Sequence, residues 1–163
     1  MNTEPTIVAR AEQPYVAVRG AVTMDTIGAI ADRIPELFGW LAAHGIPPAG
    51  PPFLRYRVID MDRRLDVEAG VPVAAAHGDD RVHVDVLPAG RYATVRHVGH
   101  FGKLVEATGA LLAWAAGQGL AWDMTHTPDG EAWGCRLEIY VTNPVEQPDP
   151  ARWETQLAFR LAD

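Results

Sequence analysis

The chain repeats itself, and this constrains its fold more than any other feature. Tyr15-Val16-Ala17-Val18-Arg19 returns as Tyr92-Ala93-Thr94-Val95-Arg96. Residues 37–46 (LFGWLAAHGI) return as 111–120 (LLAWAAGQGL), and Arg64-Leu65-Asp66-Val67-Glu68 returns as Arg136-Leu137-Glu138-Ile139-Tyr140. The three blocks recur in the same order, at offsets of 77, 74 and 72 residues (15 to 92, 37 to 111, 64 to 136). Loops absorb such small length differences easily, so a duplicated unit is the reading that explains all three.

Two of the blocks alternate apolar and polar residues, the period of a half-buried strand, and the third has helical spacing. Strands are expected over 15–22, 53–58, 63–69, 81–87, 91–98, 121–127, 133–142 and 153–161. Helices are expected over 34–44, with Pro35 in a first-turn position and Gly45 as the left-handed stop, and over 101–117. Residues 1–13 read as an irregular lead-in. Each half is then strand, helix, strand, strand, about 14–80 and 81–163, within one domain spanning 1–163. Two such units predict an α+β fold: an antiparallel sheet with two helices on one face, a ligand groove on the other, and a pseudo-two-fold axis between the halves.

Composition narrows the function. Lys and Arg number 14 against 21 Asp and Glu, a net charge of −7, the opposite of a nucleic-acid footprint. The residues ahead of the first block are too few for a helix-turn-helix, so no direct nucleic-acid binding is expected. Cys135 is alone, which excludes a disulfide framework and fits a reducing cytoplasm. Neither a signal peptide nor an apolar run of membrane-spanning length is present, so no membrane partner is expected. His97 and His100 are the closest histidine pair, but they straddle a strand end and a glycine turn without further ligands, so no metal site is expected. The 99–102 stretch lacks the Lys and Ser/Thr of a phosphate loop, and no cofactor is expected.

By alternation, one sheet face presents Tyr15, Arg19, Arg64, Asp66 and Glu68 from the first half, and Tyr92, Thr94, Arg96, Arg136, Glu138 and Tyr140 from the second. Aromatic rings around a mid-strand carboxylate suit a ligand groove or a wet surface equally well. Glu138 is either a solvated strand carboxylate or a partly buried one that an organic cation compensates. Tyr92 and Tyr140 offer cation–π surface. Phe53 and Tyr56 are expected at the groove entrance, and Trp133 at its rim or in the core. Arg136, and Asp66 as the first-half counterpart of Glu138, complete the candidate set.

These residues carry a family likeness. Gly50-Pro51-Pro52-Phe53 stands before Tyr56, and a stretch from Asp66 ends in Gly70-Val71-Pro72-Val73. Leu87-Pro88-Ala89-Gly90 is followed by His97-Val98-Gly99 ahead of a helix carrying Trp114 and Leu120, and then by Glu138-Ile139-Tyr140-Val141-Thr142-Asn143-Pro144. In this ordered set, over about residues 5 to 162, the chain resembles the GyrI-like small-molecule-binding family, also called the bacterial transcription-activator effector-binding domain. The resemblance implies a groove between the halves in which Glu138 faces hydrophobic, cationic aromatic compounds. It also implies two alternatives. One is hydrolysis of strained, cyclopropane-bearing electrophilic toxins, with Glu138 as general base and Tyr140 or Trp133 positioning the electrophile. The other is a protein partner, engaged by the acidic surface as a gyrase inhibitor would be.

Overall fold

Alternation gives each strand two unlike sides, and pairing decides which side meets the helices. A computed structural model of the chain describes residues 2–75 and 77–163. Among them, the first half contains β1 (Thr6–Arg10), β2 (Gln13–Val22), a one-turn α1 (Gly28–Ala31), α2 (Ile34–Ala43), β3 (Phe53–Asp60) and β4 (Arg64–Pro72). The second contains β5 (His83–Leu87), β6 (Gly90–Val98), α3 (Leu104–Gly117), the hairpin β7 (Met124–Thr127) and β8 (Gly130–Trp133), β9 (Arg136–Tyr140) and β10 (Glu154–Arg160). The fold is α+β, and the sheet is antiparallel and curled.

Sheet order is β1-β6-β10-β9-β3-β4-β2-β5, with the hairpin attached to β3 through β8. From the centre outward the order is symmetric: β9 with β3, β10 with β4, β6 with β2, and β1 with β5. This is the duplicated strand–helix–strand–strand plan, with one correction. The likeness of 64–68 to 136–140 matches β4 to β9, yet the strand that occupies β9's place in the first half is β3. Alternation marks the two sides of a strand but not which side is inward. Leu65, Val67 and Ala69 face the helices, whereas in β9 it is Glu138 that does so, because it pairs with Leu54, the register partner of Ala69.

The helices end alike, which supports the duplication. Gly45 follows α2 at φ 67° and Gly119 follows α3 at φ 70°, conformations that glycine adopts without penalty. Beyond them, Ile46 N–H donates to Leu41 O and Leu120 N–H to Ala115 O, each at 3.0 Å. Leu37 and Leu41 of α2, and Leu104, Ala107, Leu111 and Ala115 of α3, are buried against the sheet.

The far face is not bare. Tyr15, Phe53, Tyr92, Leu137 and Ile139 form a smaller apolar cluster there. Phe53 and Tyr15 meet edge to face at 5.2 Å, and both lie so close over Gly70 that a Cβ there would stand 2.6 Å from the Phe53 ring. Two other expectations change. Part of the lead-in forms β1, which pairs with β6 from Thr6 to Arg10. Of the expected strand over 133–142, β9 forms over 136–140, while Trp133 closes β8 and Gly134 and Cys135 lie between the two.

Candidate functional site

A groove of about 1090 Å³ opens on the helix-bearing face, between α1–α2 on one side and α3 on the other. It does not lie on the opposite face, where the sequence placed it. The reason is the helix placement: α1 and α2 lie over β2 and β4, and α3 lies over β6. The central strands β3 and β9 are left as an uncovered floor.

Glu138 and Leu54 are register partners across that floor. Tyr56 and Tyr140 each follow two residues along their strand, at matching places about the two-fold, and both line the groove. Tyr56 Oη donates to Glu138 Oε1 at 2.5 Å. The other carboxylate oxygen takes no hydrogen bond from a described residue. Burial pushes the Glu138 carboxyl above the usual carboxylate range, and the Tyr56 hydrogen bond and the Arg136 charge only partly oppose it. Burial also raises both phenols well above 10, so they are neutral donors near pH 7. The Tyr140 hydroxyl has no hydrogen-bond partner among the described residues.

Arg136 completes the floor. Its guanidinium lies 4.5 Å from the Phe159 ring centroid, 4.8 Å from that of Trp133 and 6.0 Å from that of Tyr56. Burial lowers its pKa below the ordinary guanidinium range. From the α3 side, Phe101 meets Tyr140 edge to face at 5.5 Å and stacks on Trp153 at 4.6 Å. The mouth is apolar. Among the described residues nine large hydrophobic side chains are exposed, and six of them (Met24, Phe38, Met61, Val105, Val141 and Val145) line this groove. Apolar surface so concentrated marks an interaction site.

The fold therefore brings Glu138, Tyr140, Tyr56 and Arg136 together. Trp133 is buried behind Arg136. Phe53 and Tyr92 do not reach the groove: each is 1% exposed, in the cluster on the other face, and Tyr92 Oη donates to Pro88 O at 2.6 Å. Asp66 also lies on the far face, in an ion pair with Arg19. Glu68, beside it, is fully buried in a network with Tyr15, Arg57 and His83. Sequence reasoning missed Leu54, Phe38 and Phe101. Phe101 stood in view just ahead of a helix, but only the helix position over the sheet shows that it borders the groove. His97 is buried, with Nδ1 against Asn2 Oδ1 at 2.6 Å, and no group of three or more metal-ligating side chains exists among the described residues.

The model of the GyrI-like small molecule binding domain family matches residues 3–162. The chain belongs to this family. Solved structures share the fold. The EcmrR C-terminal domain is 19% identical with a TM-score of 0.75, over 98% of both chains. In an EcmrR–DNA complex the same identity comes with a TM-score of 0.79, and the chain spans only 57% of that protein. SAV2435, solved bound to tetraphenylphosphonium, is 10% identical with a TM-score of 0.68 over 98% of this chain and 94% of that one. A hydrolase from Listeria innocua is 18% identical with a TM-score of 0.60, over 98% and 92%. No curated protein matches the sequence. No helix among the described residues is long and apolar enough to cross a membrane. The GyrI-like assignment makes this a small-molecule-binding domain.

Proposed function

We propose that this GyrI-like domain binds hydrophobic, cationic aromatic molecules in the groove between its helices, with Glu138 against the positive charge. One observation carries the reading: a carboxylate with a raised pKa stands at the floor of an apolar groove, with one oxygen held by Tyr56 and the other unpartnered among the described residues. A desolvated carboxylate is costly alone, and a bound cation offsets that cost. Phe101, Tyr56 and Tyr140 supply ring surface, where a cation contributes about 0.5–2 kcal/mol. The tetraphenylphosphonium complex of SAV2435 supports this ligand class by analogy of fold.

Titration with rhodamine 6G, a fluorescent lipophilic cation, tests the proposal. Wild-type protein binds at micromolar concentration, and Glu138→Gln weakens binding about tenfold, roughly 1.4 kcal/mol. Equal affinity in the two proteins would refute the role of the charge.

A second reading is hydrolysis of a strained, cyclopropane-bearing electrophile. The Tyr140 hydroxyl, without a hydrogen-bond partner among the described residues, and the nearby carboxylate of raised pKa favour it, since these are a donor and a general base facing one cavity. The fold shared with a hydrolase is consistent with it. Product formed from such a compound and lost in Glu138→Ala would establish turnover, whereas ligand recovered unchanged leaves the binding function.

A further inference from the structure

The groove floor carries a positive group as well as a carboxylate, and the two do not neutralise each other directly. Arg136 precedes Glu138 by two residues on β9, so both side chains leave the same sheet face about 7 Å apart. No ion pair joins them among the described residues. Seven other arginines, Arg19, Arg33, Arg57, Arg63, Arg96, Arg152 and Arg160, each pair with a carboxylate. Arg55, on the far face, donates to the Tyr15 hydroxyl and to the carbonyls of Val86 and Gly134. Arg136 alone faces the groove with ring partners and, among the described residues, no oxygen acceptor.

Ring stacking engages the flat faces of a guanidinium. Its five N–H donors lie in the plane and remain to be satisfied. In an empty groove solvent reaches them. A ligand that fills the groove removes that solvent and must supply an acceptor, or it strands donors of a charged group, which is costly. A ligand bearing positive charge alone would do this and would also be repelled by Arg136.

Resting on the binding function proposed above, we infer that the groove selects amphoteric aromatic molecules, with a cationic nitrogen set against Glu138 and a carboxylate or other oxygen acceptor capping Arg136. Arg136 is thus a specificity-determining residue, and bidentate recognition of a planar oxyanion is the contact its fork geometry fits.

Rhodamine B and its ethyl ester share the cationic ring system and differ in whether the pendant group is a carboxylate, so they form the probe pair. Fluorescence anisotropy at pH 7.5 gives the affinity of each. The wild type binds the acid about tenfold more tightly than the ester. Arg136→Met removes this advantage, so that the variant binds acid and ester with equal affinity, and Arg136→Gln repeats the comparison if the methionine variant does not fold. The inference is overturned if the wild type binds ester as tightly as acid, or if the acid keeps its advantage in Arg136→Met. In those cases ester binding still supports the groove itself. Binding of neither dye would overturn the groove reading together with the inference.

Discussion

Replacing Glu68 by glutamine separates the two carboxylates that matter most in this fold. Glu68 is fully buried on the face away from the groove. It accepts from Tyr15 Oη at 2.8 Å and from Arg57 Nε at 2.5 Å, and its second oxygen pairs with His83. Removing one member of a buried pair costs about 3–5 kcal/mol, because the other charge is left uncompensated. Here Arg57 keeps Asp85 and remains 21% exposed, which places the loss at the lower end, about 3 kcal/mol. For a chain of this length each kcal/mol moves Tm by about 2–4 °C, so Glu68→Gln is expected to melt roughly 6–12 °C lower at pH 7.5. Arg57, His83 and the Tyr15 hydroxyl hold the Glu68 carboxyl below its ordinary 4.5, against the opposing effect of burial. A depressed folded pKa stabilises above the unfolded value and is lost as pH falls through the folded one. The gap between wild type and variant should therefore be full at neutral pH and shrink below about pH 4.5. Thermal melts followed by tryptophan fluorescence, with rhodamine 6G affinity measured in parallel, check this. A Tm within about 2 °C of wild type, or a loss of dye affinity in the folded variant, would refute the structural role.

Glu138→Gln should behave in the opposite way. Its carboxyl pKa is raised by burial, so the protonated form is the stabilising one, present below the unfolded value and lost as pH rises through the folded one, and at pH 7.5 the uncharged variant melts no lower than the wild type. A melt lowered by several degrees would contradict this. Tyr56→Phe removes the hydrogen bond that favours the charged form of Glu138, so the pH midpoint of cation binding shifts upward, and an unchanged midpoint between pH 4.5 and 8 would refute the coupling. Gly70→Ala forces a Cβ against the Phe53 ring and costs about 1–3 kcal/mol, read as a lower midpoint in urea. Phe101→Ala opens the α3 wall and unstacks Trp153; rhodamine 6G affinity falls several-fold and tryptophan emission shifts, and no change in either would remove Phe101 from the site.

Much of the fold was legible because it is written twice. The matching glycine stops after α2 and α3, the Tyr-led strands β2 and β6, and the alternation in β4 and β9 each follow from local rules. What alternation cannot supply is the facing of a strand. Leu65-Asp66-Val67 and Leu137-Glu138-Ile139 read alike, yet the first turns its apolar side to the helices and the second turns its carboxylate there. That choice depends on register with β3, a long-range pairing. The same ambiguity explains the site. Glu138, Tyr140, Arg136 and Tyr56 converge, while Tyr92, Phe53 and Asp66, all on strands of similar pattern, face the other way. Phe101 and Phe38 belong to the walls through helix packing, which no spacing in the chain encodes.

The central claim is that the Glu138 carboxylate faces the positive charge of the ligand. Its most direct test is the pH titration of the Glu138 carboxyl carbon by NMR, with and without tetraphenylphosphonium. Binding and protonation are linked, so a cation against the carboxylate must stabilise its charged form and lower its pKa. The account predicts a carboxyl that titrates above the usual range when free and moves downward when the cation is bound. A titration curve that the bound cation leaves in place would contradict it.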